Sequence, residues 1–428
     1  MKKITFILII SFLSLVQLCA QTIVNTLPEN RKLILEEFGG IYCIYCPDGN
    51  EIAASILATY PEEVFRINVH GGFWANPEPG DPDFTTIYSN AFINESGLIG
   101  YPAGTINRLN FPELEQGNAG TIALSRWNWE EAAIQALGAQ AIVNVAATSI
   151  INYTTNEMEI LVEIYYTGSS EASTNYLNIA ILQNNIHGPQ KGADQGNNYL
   201  HHNLLRDMIT GQWGLPITTT SAGHFESRSF TYPLPASING ILLDPPNIEL
   251  LVFITESHQN ILNATNVNSD YIVTNALDAN ALFLEIPEVI CGNELEPIFT
   301  LRNDGNETLT SLFIDYQINQ EPVQTFEWTG MLNTFESTII SLPPLFIEGS
   351  MDTGNCLSIT VHQPNGSTDQ DSSNNSICQI FQSAPTSTSS VIKLELKTDD
   401  FGFDVYWEIT DEFDNIIASG GNETVAEN

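Results

Sequence analysis

Cys43 and Cys46 stand in the run Gly40-Ile41-Tyr42-Cys43-Ile44-Tyr45-Cys46-Pro47, a CxxC spacing suited to thiol–disulfide chemistry. The preceding stretch from Lys32 to Phe38 (KLILEEF) reads as a strand broken by Gly39-Gly40, and after Asp48 Ile52, Ile56 and Tyr60 fall on one helical face. The pair therefore occupies a strand-to-helix turn. A helix N-terminus carries partial positive charge and free N–H groups, and both stabilise a thiolate on the first cysteine. Cys43 would attack and Cys46 would resolve the mixed disulfide. Pro47 tests the register: a helix capped at Cys43 would lose a bond at the Pro47 amide, whereas a cap at Ile44 puts proline where no partner is required. Glu36, Glu37 and Asp48 work in the opposite sense and would raise the Cys43 pKa. Two other readings of the pair stay open. It is either an exchanger or a structural disulfide that rigidifies a turn; a zinc site needs four ligands, and no second Cys or His pair lies nearby, His70 being the nearest candidate.

The second element is Tyr101-Pro102, just ahead of a strand-like stretch. The strand–CxxC–helix unit and this later X-Pro strand together resemble a thioredoxin-like domain over about residues 28 to 139. The resemblance implies a cis Pro102 lying against the disulfide, with Tyr101 and Pro102 offering backbone to an extended substrate. It departs from the usual pattern in having Tyr42 before the first cysteine and Ile44-Tyr45 between the two.

Other chemistry-bearing residues are sparse. His201-His202, with His187 and His224 as distant companions, would have to converge on a metal, and neighbours in a strand point to opposite faces. A loop anchored by Tyr199, His201 and Arg206 is the plainer expectation. The acidic turns Thr398-Asp399-Asp400 and Asp411-Glu412-Phe413-Asp414 lack the Gly-centred spacing of a calcium loop. The sequence holds no Gly-x-Ser-x-Gly elbow, phosphate-binding loop or HExxH. No metal and no cofactor is expected.

The 428 residues carry 13 Lys and Arg against 51 Asp and Glu, a net charge of −38. A surface that tracks phosphates needs clustered cations, so nucleic acid is excluded as a partner. Residues 1–20 read as an export signal: Lys2 and Lys3, an apolar run from Ile4 to Leu18, and Ala20 before the cut. A lipoprotein signal would need small residues just before Cys19, where Gln17 and Leu18 stand, so lipidation is the lesser expectation. No later stretch is a membrane helix. Removal of Cys19 leaves five cysteines, Cys43, Cys46, Cys291, Cys356 and Cys378, an odd number in an oxidising compartment. Cys291 opens a β unit and would bridge either Cys356 or Cys378, both on late strands.

The alternation of elements gives a multidomain α/β plus all-β chain, a thioredoxin-like domain followed by β-sandwich domains. The expected parts are the signal at 1–20, the CxxC domain at 21–140, a mostly β domain at 141–283 and an immunoglobulin-like sandwich at 284–382. A Ser/Thr/Pro linker at 383–390 leads to an incomplete β domain at 391–428. Its few strands cannot close a sandwich, so the chain is expected to be the front part of a longer protein, which would also account for the odd cysteine. The segment His187 to Gly214 is a less regular insert.

Over about residues 25 to 275 the chain resembles the twenty-eight-kilodalton outer-membrane-protein family of Bacteroidota. The residues that carry the resemblance are Gly40 to Gly49 (GIYCIYCPDG), Gly100 to Arg108 (GYPAGTINR), Tyr199 to Arg206 (YLHHNLLR), and the strands IELLVFITE and ILNATNV. The resemblance implies export to the outer membrane surface, periplasm or exterior, and a thioredoxin-like first half, without an assigned reaction. The part after residue 284 looks like accessory β modules of secreted Bacteroidota proteins, in which a type IX secretion domain often comes last. Two functions follow: thiol–disulfide exchange on exported proteins, or non-enzymatic binding and adhesion to surface ligands with a structural CxxC. Neither a specific ligand nor an oligomeric state is legible.

Overall fold

Every residue of strand β1 (Leu33–Gly39) is buried, because alternate side chains enter two different cores. Leu33 and Leu35 pack with Ala53 and Ile56 of helix α1 (Cys46–Thr59) and with Trp129. Ile34 and Phe38 point the other way, toward Phe92, Ile93 and Phe253. The computed structural model describes residues 22–287, 289–290, 292–347, 354–384, 393–397, 405–410 and 416–422. The expected export signal, Cys291, linker residues 385–390 and the acidic turns at 398–400 and 411–414 lie outside them.

Strand β2 (Val64–His70) runs parallel to β1, so that Gly39 faces His70. Helix α2 (Ser89–Ser96) ends at Gly97, whose φ of 69° is the left-handed cap that glycine adopts without strain. Strand β3 (Ala103–Ile106) pairs antiparallel with β1, and β4 (Leu124–Ser125) extends it before helix α3 (Trp129–Ala136). Trp129, Ala132, Ala133 and Ala136 press α3 onto the face already covered by α1.

The sheet does not stop near residue 140. After β5 (Val143–Asn152) and β6 (Glu157–Tyr166), strand β7 (Asn175–Gln183) belongs to the same sheet as β1. A hairpin of β8 (Ile186–Gly188) and β9 (Tyr199–His201) leads into β10 (Leu204–Met208). Strand β10 joins the halves by pairing Leu204 with Asn68 of β2. There follow β11 (Leu215–Ile217), β12 (Phe225–Pro233), β13 (Ser237–Ile238), β14 (Ile241–Leu242), β15 (Ile248–Glu256), β16 (Gln259–Asn268) and β17 (Asp270–Ile272). The main path is β16-β15-β7-β10-β2-β1-β3-β4, with β11 beside β7. Leu177, Ile179, Ile181, Leu250, Val252 and Ile254 pack its far part against the second sheet, β12-β6-β5-β17.

A third body is a sandwich. Strands Ala279–Glu285, Ile298–Asn303 and Ser337–Ser341 face a five-stranded sheet that includes Leu309–Ile318, Asn355–His362 and Ser376–Ser383, around Phe299, Leu301, Ile314 and Ile359. Arg302 ties it to the rest through an ion pair with Asp244 at 2.8 Å, and Asp304 within the sandwich braces the guanidinium at 2.5 Å. Here the cysteine expectation is corrected: Cys356 and Cys378 bond to each other, with Cα atoms 5.9 Å apart. They sit diagonally on adjacent antiparallel strands, where Ser358 pairs with Cys378, so neither is left to bridge Cys291. The protein is mostly β, with its α-helices confined to the first 136 residues among those described. No helix among the described residues is long and apolar enough to cross a membrane.

Candidate functional site

Beyond β1 the chain turns sharply at Gly39-Gly40. A Cβ on Gly40 would overlap the backbone of Trp74, whose carbonyl accepts from Tyr42 N at 3.0 Å. The turn closes through Cys43 N to Gly40 O at 3.0 Å and Cys46 N to Cys43 O at 3.1 Å. Cys43 and Cys46 are disulfide-bonded with Cα atoms 5.3 Å apart, and both are buried. The N-cap of α1 is Tyr45, one residue later than the Ile44 expected from Pro47; the proline still lies in the first turn, where its missing N–H costs nothing. A Cβ on Gly39 would stand 3.0 Å from Cys46 Sγ, so the end of β1 lies directly against the second sulfur.

The three carboxylates expected to oppose a thiolate are each matched by an arginine. Glu36 takes Arg108 in a bidentate contact at 2.5 to 3.0 Å on the face away from α1. Asp48 pairs with Arg126 at the surface. Glu37 meets Arg66 at 2.6 Å on the α1 side, and burial raises its pKa above the ordinary carboxylate value while Arg66 pulls it back. Arg66 also bonds Asn50, whose Nδ2 donates to Tyr199 OH at 2.6 Å. The acidic residues thus add little net charge at the cysteines.

The Tyr101–Pro102 bond is cis, and Pro102 is buried against the first turns of α1. A Cβ on Gly49 would come within 2.9 Å of Pro102 Cγ and 3.2 Å of Glu37 Oε1, so proline, helix and buried carboxyl meet at one glycine. Around them Ile44, Tyr45, Phe73, Trp74, Ile99 and Trp127 stay exposed. The Arg126 guanidinium lies 4.2 Å over Trp127 and 5.5 Å from the Tyr45 ring.

Sequence reasoning missed what β8 and β9 do. Gln190, in the bend between them, donates from Nε2 to Gly40 O at 3.2 Å and to Cys43 O at 3.0 Å. Its signal was a GPQKG stretch between two short strands. His70 and His201 were also not expected to meet; their rings lie 5.2 Å apart beside Phe84. Burial pushes His70 well below the usual histidine range and His201 down to about 4. Of the expected anchors, Tyr199 and His201 face the β2 side, while Arg206 donates to Ile238 O and Ile241 O. Among the described residues no three His, Cys, Asp or Glu converge as metal ligands.

Residues 89–276 match the family described as outer membrane protein Omp28. This part of the chain is similar to that family. The Omp28 match takes in Tyr101-Pro102 and the Tyr199 to Arg206 segment and begins after the CxxC turn. The match supports an exported, outer-membrane-associated location. Among solved structures, HBP35 of Porphyromonas gingivalis aligns with 16% identity and a TM-score of 0.45, over 70% of this chain and 98% of that one. A domain of the outer membrane lipoprotein Omp28 from Porphyromonas gingivalis aligns at 16% identity and 0.22, over 31% and 90%. A CARDB domain from Pyrococcus furiosus aligns at 17% identity and 0.22, over 26% and 93%. No curated protein matches.

Proposed function

We propose that residues 21–140 form a thioredoxin-like unit that carries out thiol–disulfide exchange on exported proteins, borne on an Omp28-family chain. The observation that carries this reading is the meeting of Cys43–Cys46, the N-terminus of α1, Pro102 and the buried Glu37–Arg66 pair around Gly49. In the oxidised form a substrate thiolate attacks Cys43 Sγ, and Cys46 leaves as a thiolate at the helix N-terminus. A second substrate thiolate then attacks the substrate sulfur of the mixed disulfide and releases Cys43. The substrate gains a disulfide and loses two protons and two electrons, and the pair becomes a dithiol that a small-molecule disulfide re-oxidises. Glu37 lies on the strand face that ends at Gly39 against Cys46 Sγ, which suits it to give a proton to the departing Cys46 thiolate and to take it back on re-oxidation. Tyr101 and Pro102 supply backbone to the substrate strand, beside exposed Ile44 and Tyr45.

A second reading has its own support: both cysteines are buried, at 4% and 3% exposure, and Gln190 covers the turn, which favours a structural disulfide in a surface binding protein. The test is the reduction potential of the pair in the full chain, with turnover of a scrambled disulfide protein as a second readout. A potential between about −120 and −270 mV, with turnover abolished in Cys43→Ser, supports exchange. A value below about −300 mV, or turnover retained in Cys43→Ser, removes it in favour of the binding reading.

A further inference from the structure

The CxxC turn is held from two sides. Pro102 precedes β3 on one side of β1, whereas the β8–β9 hairpin leads into β10, which pairs β2 on the other. The bend of that hairpin follows the turn almost residue by residue. Gln190 donates to the carbonyls of Gly40 and Cys43, and Lys191 N donates to Ile41 O at 2.7 Å. Gly192, with φ of 84°, lies so close to the Ile44 carbonyl that any Cβ would overlap it. The backbone carbonyls of residues 40, 41, 43 and 44 are thus all met by residues 190–192.

Gln190 is the member whose side chain does this. It is 3% exposed, and its Oε1 has no protein partner, so its donor half holds it in place. The acceptor at Cys43 already receives Cys46 N, so Gln190 adds a second donor to the carbonyl that closes the CxxC turn. The outer end of the hairpin is anchored as well. His187 stacks on Phe283 with centroids 3.8 Å apart, and Asn198 Nδ2 donates to Glu285 Oε1 at 2.8 Å, both partners lying on the first strand of the sandwich. Between bend and sandwich runs a cleft of about 900 Å³ walled by Lys191, Gly192, Phe283 and Pro287.

We propose that the β8–β9 hairpin is a latch on the disulfide and that Gln190 is its positioning residue, setting how readily the Cys43–Cys46 bond opens. The inference rests on the exchange reading for its use. Reduction transfers two electrons and two protons from a dithiol, which becomes a disulfide, and parts two sulfurs that the turn holds in bonding contact. Donors fixed on the turn's carbonyls favour the bonded arrangement, and release of the latch favours the dithiol.

The test equilibrates the full chain with reduced and oxidised dithiothreitol and reads Cys43 by alkylation and peptide mapping, in wild type, Gln190→Met, Gln190→Ala and Gln195→Ala. Methionine keeps the length of glutamine without its donor; Gln195 is exposed farther along the same bend, and Gln195→Ala serves as control. Both Gln190 variants should shift the equilibrium about tenfold toward the dithiol, about 30 mV, and speed reduction by a similar factor. Gln195→Ala should stay within twofold of wild type. Gln190→Met with an unchanged thermal midpoint and an equilibrium within twofold of wild type overturns the latch, as does an equal shift in Gln195→Ala. The two readings fail separately: a wild-type pair too stable to exchange refutes exchange while the Gln190 shift is still read, and an exchanging pair indifferent to Gln190 refutes the latch alone.

Discussion

Glu37 and Arg66 face each other at 2.6 Å beneath the first turns of α1, with side chains 2% and 5% exposed, so a carboxyl of raised pKa lies under the helix that bears the disulfide. Because burial raises that pKa, the folded chain keeps the Glu37 proton to higher pH than the unfolded chain, whose carboxyl titrates near 4.5. Stability contributed by the group is therefore present below that value and falls as pH rises through the folded pKa. Glu37→Gln should remove this slope, read as unfolding free energy between pH 4.5 and 8. It should also slow exchange about tenfold or more at neutral pH, as loss of a general acid–base group does; an unchanged rate would take Glu37 out of the reaction.

Arg108 binds Glu36 through Nε and Nη2, donates to His258 O at 2.8 Å and packs over the Phe92 ring at 5.0 Å. Arg108→Ala strands a buried carboxylate, which costs about 3–5 kcal/mol. The double variant Arg108→Met with Glu36→Gln removes both charges and should recover most of that loss. Urea midpoints at constant slope measure both; a loss under about 1 kcal/mol for Arg108→Ala would show that the pair carries no weight.

His201 supplies an acid limit. Its folded pKa of about 4 lies below the ordinary 6.5, so between these values the unfolded chain binds a proton that the folded chain refuses. Stability is full above about pH 6.5 and declines as pH falls, by about 3 kcal/mol at pH 4 from this residue alone. His201→Phe keeps a ring among His70, Phe84 and Tyr199 and should flatten the decline, with His70, also held low by burial, keeping part of it. Chemical denaturation at pH 7, 5.5 and 4.5 decides it.

Arg302 joins the sandwich to the loop at Asp244, and Asp304 in turn accepts from Tyr153 OH at 2.7 Å. Arg302→Met leaves Asp244 and Asp304 facing each other without a cation, at a cost of about 3–5 kcal/mol. Scanning calorimetry should show the sandwich unfolding apart from the Omp28 region in the variant; one cooperative transition at the wild-type temperature would contradict the coupling.

Local pattern made some of this legible. KLILEEF before two glycines is the observed β1, and Ile52 and Ile56 lie on α1 as their spacing requires. The sequence pattern suggests a helix near Phe84 to Glu95, yet α2 starts only at Ser89, because Phe84 packs against the rings of His70 and His201 instead of a helix face. The stretch from His187 to Gly214 looked irregular because its strands are three to five residues long and β10 finds Asn68 far upstream in the chain. Such pairings depend on closing long loops and leave no periodic trace. The partners of Glu36, Glu37 and Asp48 were hidden for the same reason: Arg108, Arg66 and Arg126 come from other elements.

The pairing of β2 with β10 bears on how the gene can be divided. A chain cut at residue 140 keeps Cys43, Cys46, α1 and Pro102 but loses Leu205 and Phe253 from the cluster of Ile67 and Val69, and Leu204 from beside Asn68. It would present β2 as an open sheet edge beside a bare apolar patch, a template on which a second copy adds its own strand. Soluble monomer should therefore be recovered from pieces that run through Asn268, the end of β16, and aggregates from those that stop before β7.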